Sequence, residues 1–342
     1  MICLLLTGCS WLDGEYHSVT PHAANDPMQS QDGLVVRTYL ELRKALVDMV
    51  AAGSTENTIF LVDMDMSMVD QYMNTAILHV RKNDAIGAYA VDNIQYEVGT
   101  VASLDAVAID ISYIHGRQEI LRIKRVQTVN SMKKLIMAAL DSCASDIVIR
   151  VAEYEPMDLV QFVQDYVDQN PDICMEMPQI SVVVYPETGL ERVFEISFTY
   201  QTSRETLRDM QETVAPIFSA AKLYVEGSEN TQQKYEQLYS FLMERYDYQY
   251  DTSINPAYSL LRYGVGDSKA FASVYSIMCH DAGISCEVVV GTRNGEAWYW
   301  NLIKIDDTYY HLDLLACNEQ EEFILQTAEN MSGYVWDYSV YP

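Results

Sequence analysis

Basic residues are scarce in this chain of 342: Lys and Arg total 22 against 49 Asp and Glu, a formal net charge of −27. A surface so acidic repels phosphates, which excludes nucleic acid and anionic lipid headgroups as partners. Long apolar runs are also missing. Beyond the first residues no stretch reaches the roughly 18 to 20 uninterrupted apolar residues of a membrane span. Metal-like patterns are absent too. The seven cysteines have no zinc-type spacing. The carboxylates are scattered, and Asp63 and Asp65 in LVDMDMS are too few for a calcium loop. Neither a metal nor a cofactor is expected. What is present is 49% hydrophobic residues, too many for a disordered chain. The length allows two or three domains.

The first ten residues, MICLLLTGCS, end an apolar run in Leu6-Thr7-Gly8-Cys9. That order fits a bacterial lipobox, in which the signal is cut before a cysteine that carries lipid. The run is short and lacks the basic start of an export signal. Residues 1–9 are read as a lipoprotein signal, and residues 10–31, rich in Ser, His, Pro, Asp and Gly, as a tether. The membrane partner is then the lipid at Cys9, with the folded part facing outside the cell. Cys3 and Cys9 belong to the signal. Cys143, Cys174, Cys279, Cys286 and Cys317 remain, an odd number that gives no complete disulfide framework. Cys279 and Cys286 flank a turn, and a bond between them stays open.

The middle of the chain shows one order of elements twice. Helical spacing at Leu42, Ala45, Leu46 and Met49 precedes a strand at Thr58–Asp63, a helix at Ser67–Val80 capped by Ser67, and strands at Ile94–Val98 and Val107–Tyr113. A helix at Met132–Leu140, a strand at Asp146–Val151, a helix at Met157–Val167 and strands at Ile180–Tyr185 and Val193–Tyr200 repeat the order roughly 90 residues later. The expected fold class is α+β, with two tandem α-β-α-β-β units at 32–128 and 129–202. A helical linker (203–230) and a C-terminal domain (231–342) follow.

That last domain carries a recognisable pattern. Tyr263 to Ile284 reads YGVGDSKAFASVYSIMCHDAGI, and Trp298 to Asp313 reads WYWNLIKIDDTYYHLD. The first resembles the nucleophile helix of the transglutaminase-like superfamily of papain-type thiol hydrolases, where a Gly-rich turn delivers a cysteine at the helix start. Counting back from Gly283-Ile284 puts that position at Ser268, with the aromatic-Ala pair at Phe271-Ala272. The second is similar to the family's His-Ala-Trp-Asn strand, aromatic pair and Asp. Trp300-Asn301, Tyr309-Tyr310 and Asp313 match, and Trp298 stands where the histidine is expected.

The resemblance implies a papain-like domain in which two of three triad positions are wrong. A triad needs a nucleophile, a base to take its proton, and an acid to orient the base. A serine hydroxyl is not ionised by a helix terminus as a thiol is. An indole nitrogen only donates. Asp267 and Ser268 read equally well as ordinary helix caps. No catalytic residues are expected at the degenerate positions Ser268, Trp298 and Asp313. Trp298, Trp300, Asn301, Tyr263 and Tyr310 are the candidates for lining an inherited cleft that holds peptide, glycan or an envelope protein. The alternative is a hydrolase or acyltransferase with an unorthodox nucleophile such as Ser268. Cys279, with His280 beside it, lies three turns after Ser268, and adjacent helix residues do not face each other. His311 falls on the same strand face as Asp313, which leaves a relocated His-Asp pair open.

The anchor is directly testable. Metabolic labelling with a fatty-acid analogue is expected to tag the wild-type protein and not Cys9→Ala. Equal labelling of the two refutes lipidation at Cys9.

Overall fold

The computed structural model describes residues 34–250 and 253–342; Cys9 and the signal and tether regions lie outside them. The first unit comprises β1 (Leu34–Val36), α1 (Tyr39–Ala51), β2 (Glu56–Leu61), α2 (Val69–Lys82), α3 (Ala85–Ala90), β3 (Val91–Val101) and β4 (Leu104–Tyr113). After the short α4 (Arg117–Arg122) come β5 (Lys124–Thr128), α5 (Val129–Asp141), β6 (Asp146–Glu153), α6 (Leu159–Gln169), β7 (Gln179–Tyr185) and β8 (Arg192–Thr199). The two sheets have the same strand order, β1-β2-β4-β3 and β5-β6-β8-β7. In each, the first pair is parallel and the others antiparallel. The registers correspond as well: Leu34 lies opposite Ile59, and Lys124 opposite Ile149.

Local chemistry repeats with the topology. Thr38 caps α1 by accepting from the Glu41 amide at 3.2 Å, and Thr128 caps α5 by accepting from the Ser131 amide at 3.3 Å. The apolar stripe Leu42, Ala45, Leu46 and Met49 of α1 is buried, as is Met132, Ile136, Ala139 and Leu140 of α5. Each sheet-helix pair closes its own core.

Three details differ from the sequence reading. Each unit opens with an extra strand, so the order is β-α-β-α-β-β. LVV and KRVQT are too short or too polar to show a period, and the second sheet therefore begins at Lys124. Helix α3 occurs in the first unit alone. Ser67 does not cap α2: Asp65 accepts both the Ser67 amide and hydroxyl, forming a short 3-10 turn at Met66–Met68 before the helix starts.

The rest of the chain forms one further core. It contains α7 (Arg204–Tyr224), α8 (Thr231–Met243), β9 (Asp247–Tyr248), α9 (Pro256–Tyr263), β10 (Val265–Gly266) and α10 (Ser268–Asp281). Then come β11 (Cys286–Arg293), β12 (Glu296–Ile305), β13 (Thr308–Leu312), α11 (Leu314–Gln320) and β14 (Tyr334–Trp336). The strands β13-β12-β11-β14 make an antiparallel sheet. Helix α7 is more than a linker, because its Leu207, Val214, Phe218 and Ala221 are buried in this core. Helix α10 is the central element: eleven of its fourteen residues are buried. It is fastened to the sheet by Asn301, whose Nδ2 donates to the Ala272 carbonyl at 2.9 Å, and by Ser276, whose hydroxyl donates to the Cys286 carbonyl at 2.8 Å.

Gly291 of β11 lets the sheet close around Trp300. A Cβ there would lie 2.3 Å from the Val335 carbonyl oxygen and 2.7 Å from the Trp300 ring. Gly291→Ala is expected to lower stability by about 1–3 kcal/mol through overpacking. Gly99→Ala, where a Cβ meets nothing within 4 Å, should stay within about 0.5 kcal/mol of wild type. Denaturant unfolding of both variants checks the contrast, and equal losses contradict it.

Candidate functional site

The site lies where the start of α10 meets β12 and the turn after β13. Asp267 is the N-cap of α10, accepting from the Ala270 amide at 2.8 Å, and Ser268 is its first residue. Ser268 is buried. The one hydrogen bond of its hydroxyl among the described residues is accepted from the Tyr299 amide at 3.4 Å. Lys269, next along, points elsewhere: its ammonium binds Asp168 of α6 at 2.7 Å and lies 5.8 Å from the Tyr299 ring centre.

Trp298 on β12 donates its indole Nε1–H to Asp313 Oδ2 at 2.8 Å. The same oxygen accepts the Tyr334 hydroxyl at 2.7 Å and lies 3.9 Å from the Arg293 guanidinium. Oδ1 accepts the amides of Leu315 at 3.0 Å and Ala316 at 3.1 Å, which makes Asp313 the cap of α11. Burial, and then the Asp313 charge, push the Tyr334 phenol upward, so it remains a donor. Arg293 is held by Glu319 at 2.7 Å and stacks over Trp298, 5.2 Å from the ring centre. Tyr248 covers Trp298 from another side, ring centres 5.7 Å apart. The indole is buried between these groups.

The structure therefore brings Ser268, Trp298 and Asp313 to one place, but with no acceptor nitrogen between hydroxyl and carboxylate. It does not gather the five residues read as a cleft. Trp300 and Asn301 are buried in the core, one packed at right angles to Trp336 and the other fixed to Ala272. Tyr310 is half-buried against the same core. Tyr263 is exposed, beside a small 170 Å³ hollow that also touches Asp267. The His311–Asp313 pair does not form. His311 is buried, and its Nδ1 accepts from Trp300 Nε1 at 3.0 Å. Its Nε2 has no hydrogen-bond partner among the described residues. Cys279 and Cys286 are free, buried thiols in contact with each other. Burial and the Cys286 contact push the Cys279 thiol well up, away from any thiolate. Among the described residues no group of three or more His, Cys, Asp or Glu is placed to hold a metal ion.

Arg293, Tyr334 and Tyr248 were missed by sequence reading. Each comes from a segment outside the motif, and no spacing links residue 334 to residue 313.

Residues 219–314 match the transglutaminase-like superfamily. This part of the chain is a transglutaminase-like domain. No curated protein matches the sequence. Among solved structures, a transglutaminase is 10% identical over 49% of this chain and 50% of its own length, with a TM-score of 0.28. LapG of Legionella pneumophila, EGTA-treated, is 14% identical over 40% of this chain and 72% of its own, with a TM-score of 0.27. This chain thus spans half the length of the first. Likenesses this slight carry no argument about the site.

The buried His311 gives a pH prediction. Desolvation lowers its pKa. The folded state then binds fewer protons than the unfolded chain just below the ordinary histidine pKa of about 6.5. Its stability contribution is full above that value and lost as pH falls through it towards the folded pKa. His311→Gln, which keeps an acceptor for Trp300, should flatten this part of the wild-type stability profile. An identical slope in the two proteins refutes the assignment.

Proposed function

We propose that this protein is a lipid-anchored binding or scaffolding module of the cell surface whose transglutaminase-like domain has lost its reaction. The observation that carries the reading is the hydrogen bond from Trp298 Nε1 to Asp313 Oδ2 at 2.8 Å. In a triad the imidazole donates one nitrogen to the acid and uses the other as base. The indole makes the first contact and has no second nitrogen. Ser268 is left with a backbone amide and no base in hydrogen-bond reach among the described residues. Lys269 and His311, the basic side chains nearest in sequence to the motif positions, are bound to Asp168 and Trp300. Peptide, glycan or an envelope protein is the partner class. The lipobox at Cys9 supports the anchor, and the absence of any helix long and apolar enough to cross a membrane among the described residues is compatible with it.

A fluorophosphonate should leave Ser268 unmodified in the wild type, as judged by intact mass. Ser268→Cys alone, with a helix terminus but no imidazole to hold its thiolate, should react with iodoacetamide more slowly at neutral pH than the double variant with Trp298→His. Ser268→Cys with Trp298→His is the minimal revival, and its labelling should shift to lower pH as the imidazole stabilises the thiolate. Stoichiometric fluorophosphonate labelling of wild-type Ser268 overturns the reading and promotes a serine hydrolase or acyltransferase in its place.

A further inference from the structure

The sheet of the transglutaminase-like domain has an edge that stops short. β14 pairs with β11 at Gly291, Thr292 and Arg293 alone, and the chain then turns away through Asp337, whose carbonyl accepts the Val340 and Tyr341 amides. On that side Glu287 to Val290 faces no strand among the described residues. The Cys286 carbonyl is taken by Ser276, so the open part of the edge starts at Glu287. An edge of this kind presents unpaired amides and carbonyls that accept a further strand. Glu287 and Val290 are exposed along it, and Tyr341 is the residue of the C-terminal segment that lines the groove beside it.

A groove of about 580 Å³ runs beside this edge, walled by β11, α10 and α6 of the second unit. The Lys269–Asp168 ion pair lines both this groove and a second hollow of about 460 Å³. An added strand sits about 4.8 Å from its neighbour, and four paired residues extend about 13 Å. Its charge is one-sided. Lys269 is paired with Asp168, and of the other ionisable side chains of the wall Asp165 and Glu287 are carboxylates without an ion-pair partner among the described residues, against one histidine, His280. Their fields converge on Tyr341, whose phenol is pushed upward by burial, then by Glu287, Asp165 and Asp337.

We propose that the open edge of β11 at Glu287–Val290 binds an extended basic segment of a partner polypeptide as an added strand lying in this groove. Main-chain pairing supplies the affinity, and Asp165 and Glu287 select Lys or Arg side chains. The inference rests on the reading of the domain as a binding module and specifies its ligand as peptide.

The test uses the full chain and three fluorescein-labelled peptides of about ten residues: one alternating Lys and Val, one alternating Glu and Val, and the Lys-Val peptide N-methylated at every second amide. Fluorescence anisotropy should show binding of the Lys-Val peptide, weakened about tenfold or more for the Glu-Val peptide and by added salt. N-methylation keeps the charge and blocks pairing, so it should abolish most of the affinity. Asp165→Asn with Glu287→Gln should weaken the Lys-Val peptide about tenfold. Absence of Lys-Val binding, equal binding of the N-methylated peptide, or an unaffected double variant each overturns the proposal. Equal binding of the N-methylated form would reveal simple attraction to an acidic surface. Fluorophosphonate treatment of the same sample separates the two readings. Peptide failure with Ser268 unlabelled sinks only the docking edge, whereas labelled Ser268 sinks the binding-module reading itself.

Discussion

A buried carboxylate must find donors, and the site in the transglutaminase-like domain is organised around that need. Asp313 lies in the interior, where an unpaired charge costs several kcal/mol. Five groups converge on it: an indole, a phenol, a guanidinium and two amides. They come from β12, β14, β11 and the start of α11. Satisfying one carboxylate therefore joins three strands of the sheet and starts the helix that follows it. The carboxylate at the motif's acid position is a structural hub.

Helix α10 is the second constraint, and it fixes where the nucleophile position of the motif sits. Nearly every side chain along it is buried, so its register against β11 and β12 is set by packing over its whole length. Asn301 and Ser276 tie its two halves to neighbouring strands. Replacing the residue at its first position changes the reactive group and leaves the helix in place. The packing that positions Ser268 is spread along the whole helix, and Ser268 itself adds one long hydrogen bond, from the Tyr299 amide.

Much of this was legible in the sequence where period and spacing carry the signal. The fifteen-residue step from Trp298 to Asp313 spans one hairpin, and because the hairpin is regular the two side chains meet. The helical stripes of α1 and α5 were equally readable. What escaped was of two kinds. Short strands such as β1 have too few residues for alternation to appear and exist through pairing with β2. Contacts such as Tyr334 with Asp313 join segments of different elements, and no local pattern encodes them. Burial misled in the other direction: Trp300 and Asn301 match the motif, yet an aromatic or amide in a motif serves packing as readily as binding.

The indole at position 298 shows how one contact of a triad can be kept by a side chain that cannot make the other. An imidazole between serine and aspartate does two jobs with two nitrogens. One donates to the acid, which fixes the ring, and the other takes the nucleophile's proton. Tryptophan reproduces the first contact with a single donor and cannot do the second. It adds ring area that Arg293 and Tyr248 cover, so the hydrogen bond gains packing that a histidine would supply less of. It also does not titrate, so no change of pH gives this position a proton acceptor. At this position, then, the contact with Asp313 is present and a proton acceptor is not, at every pH where the fold persists.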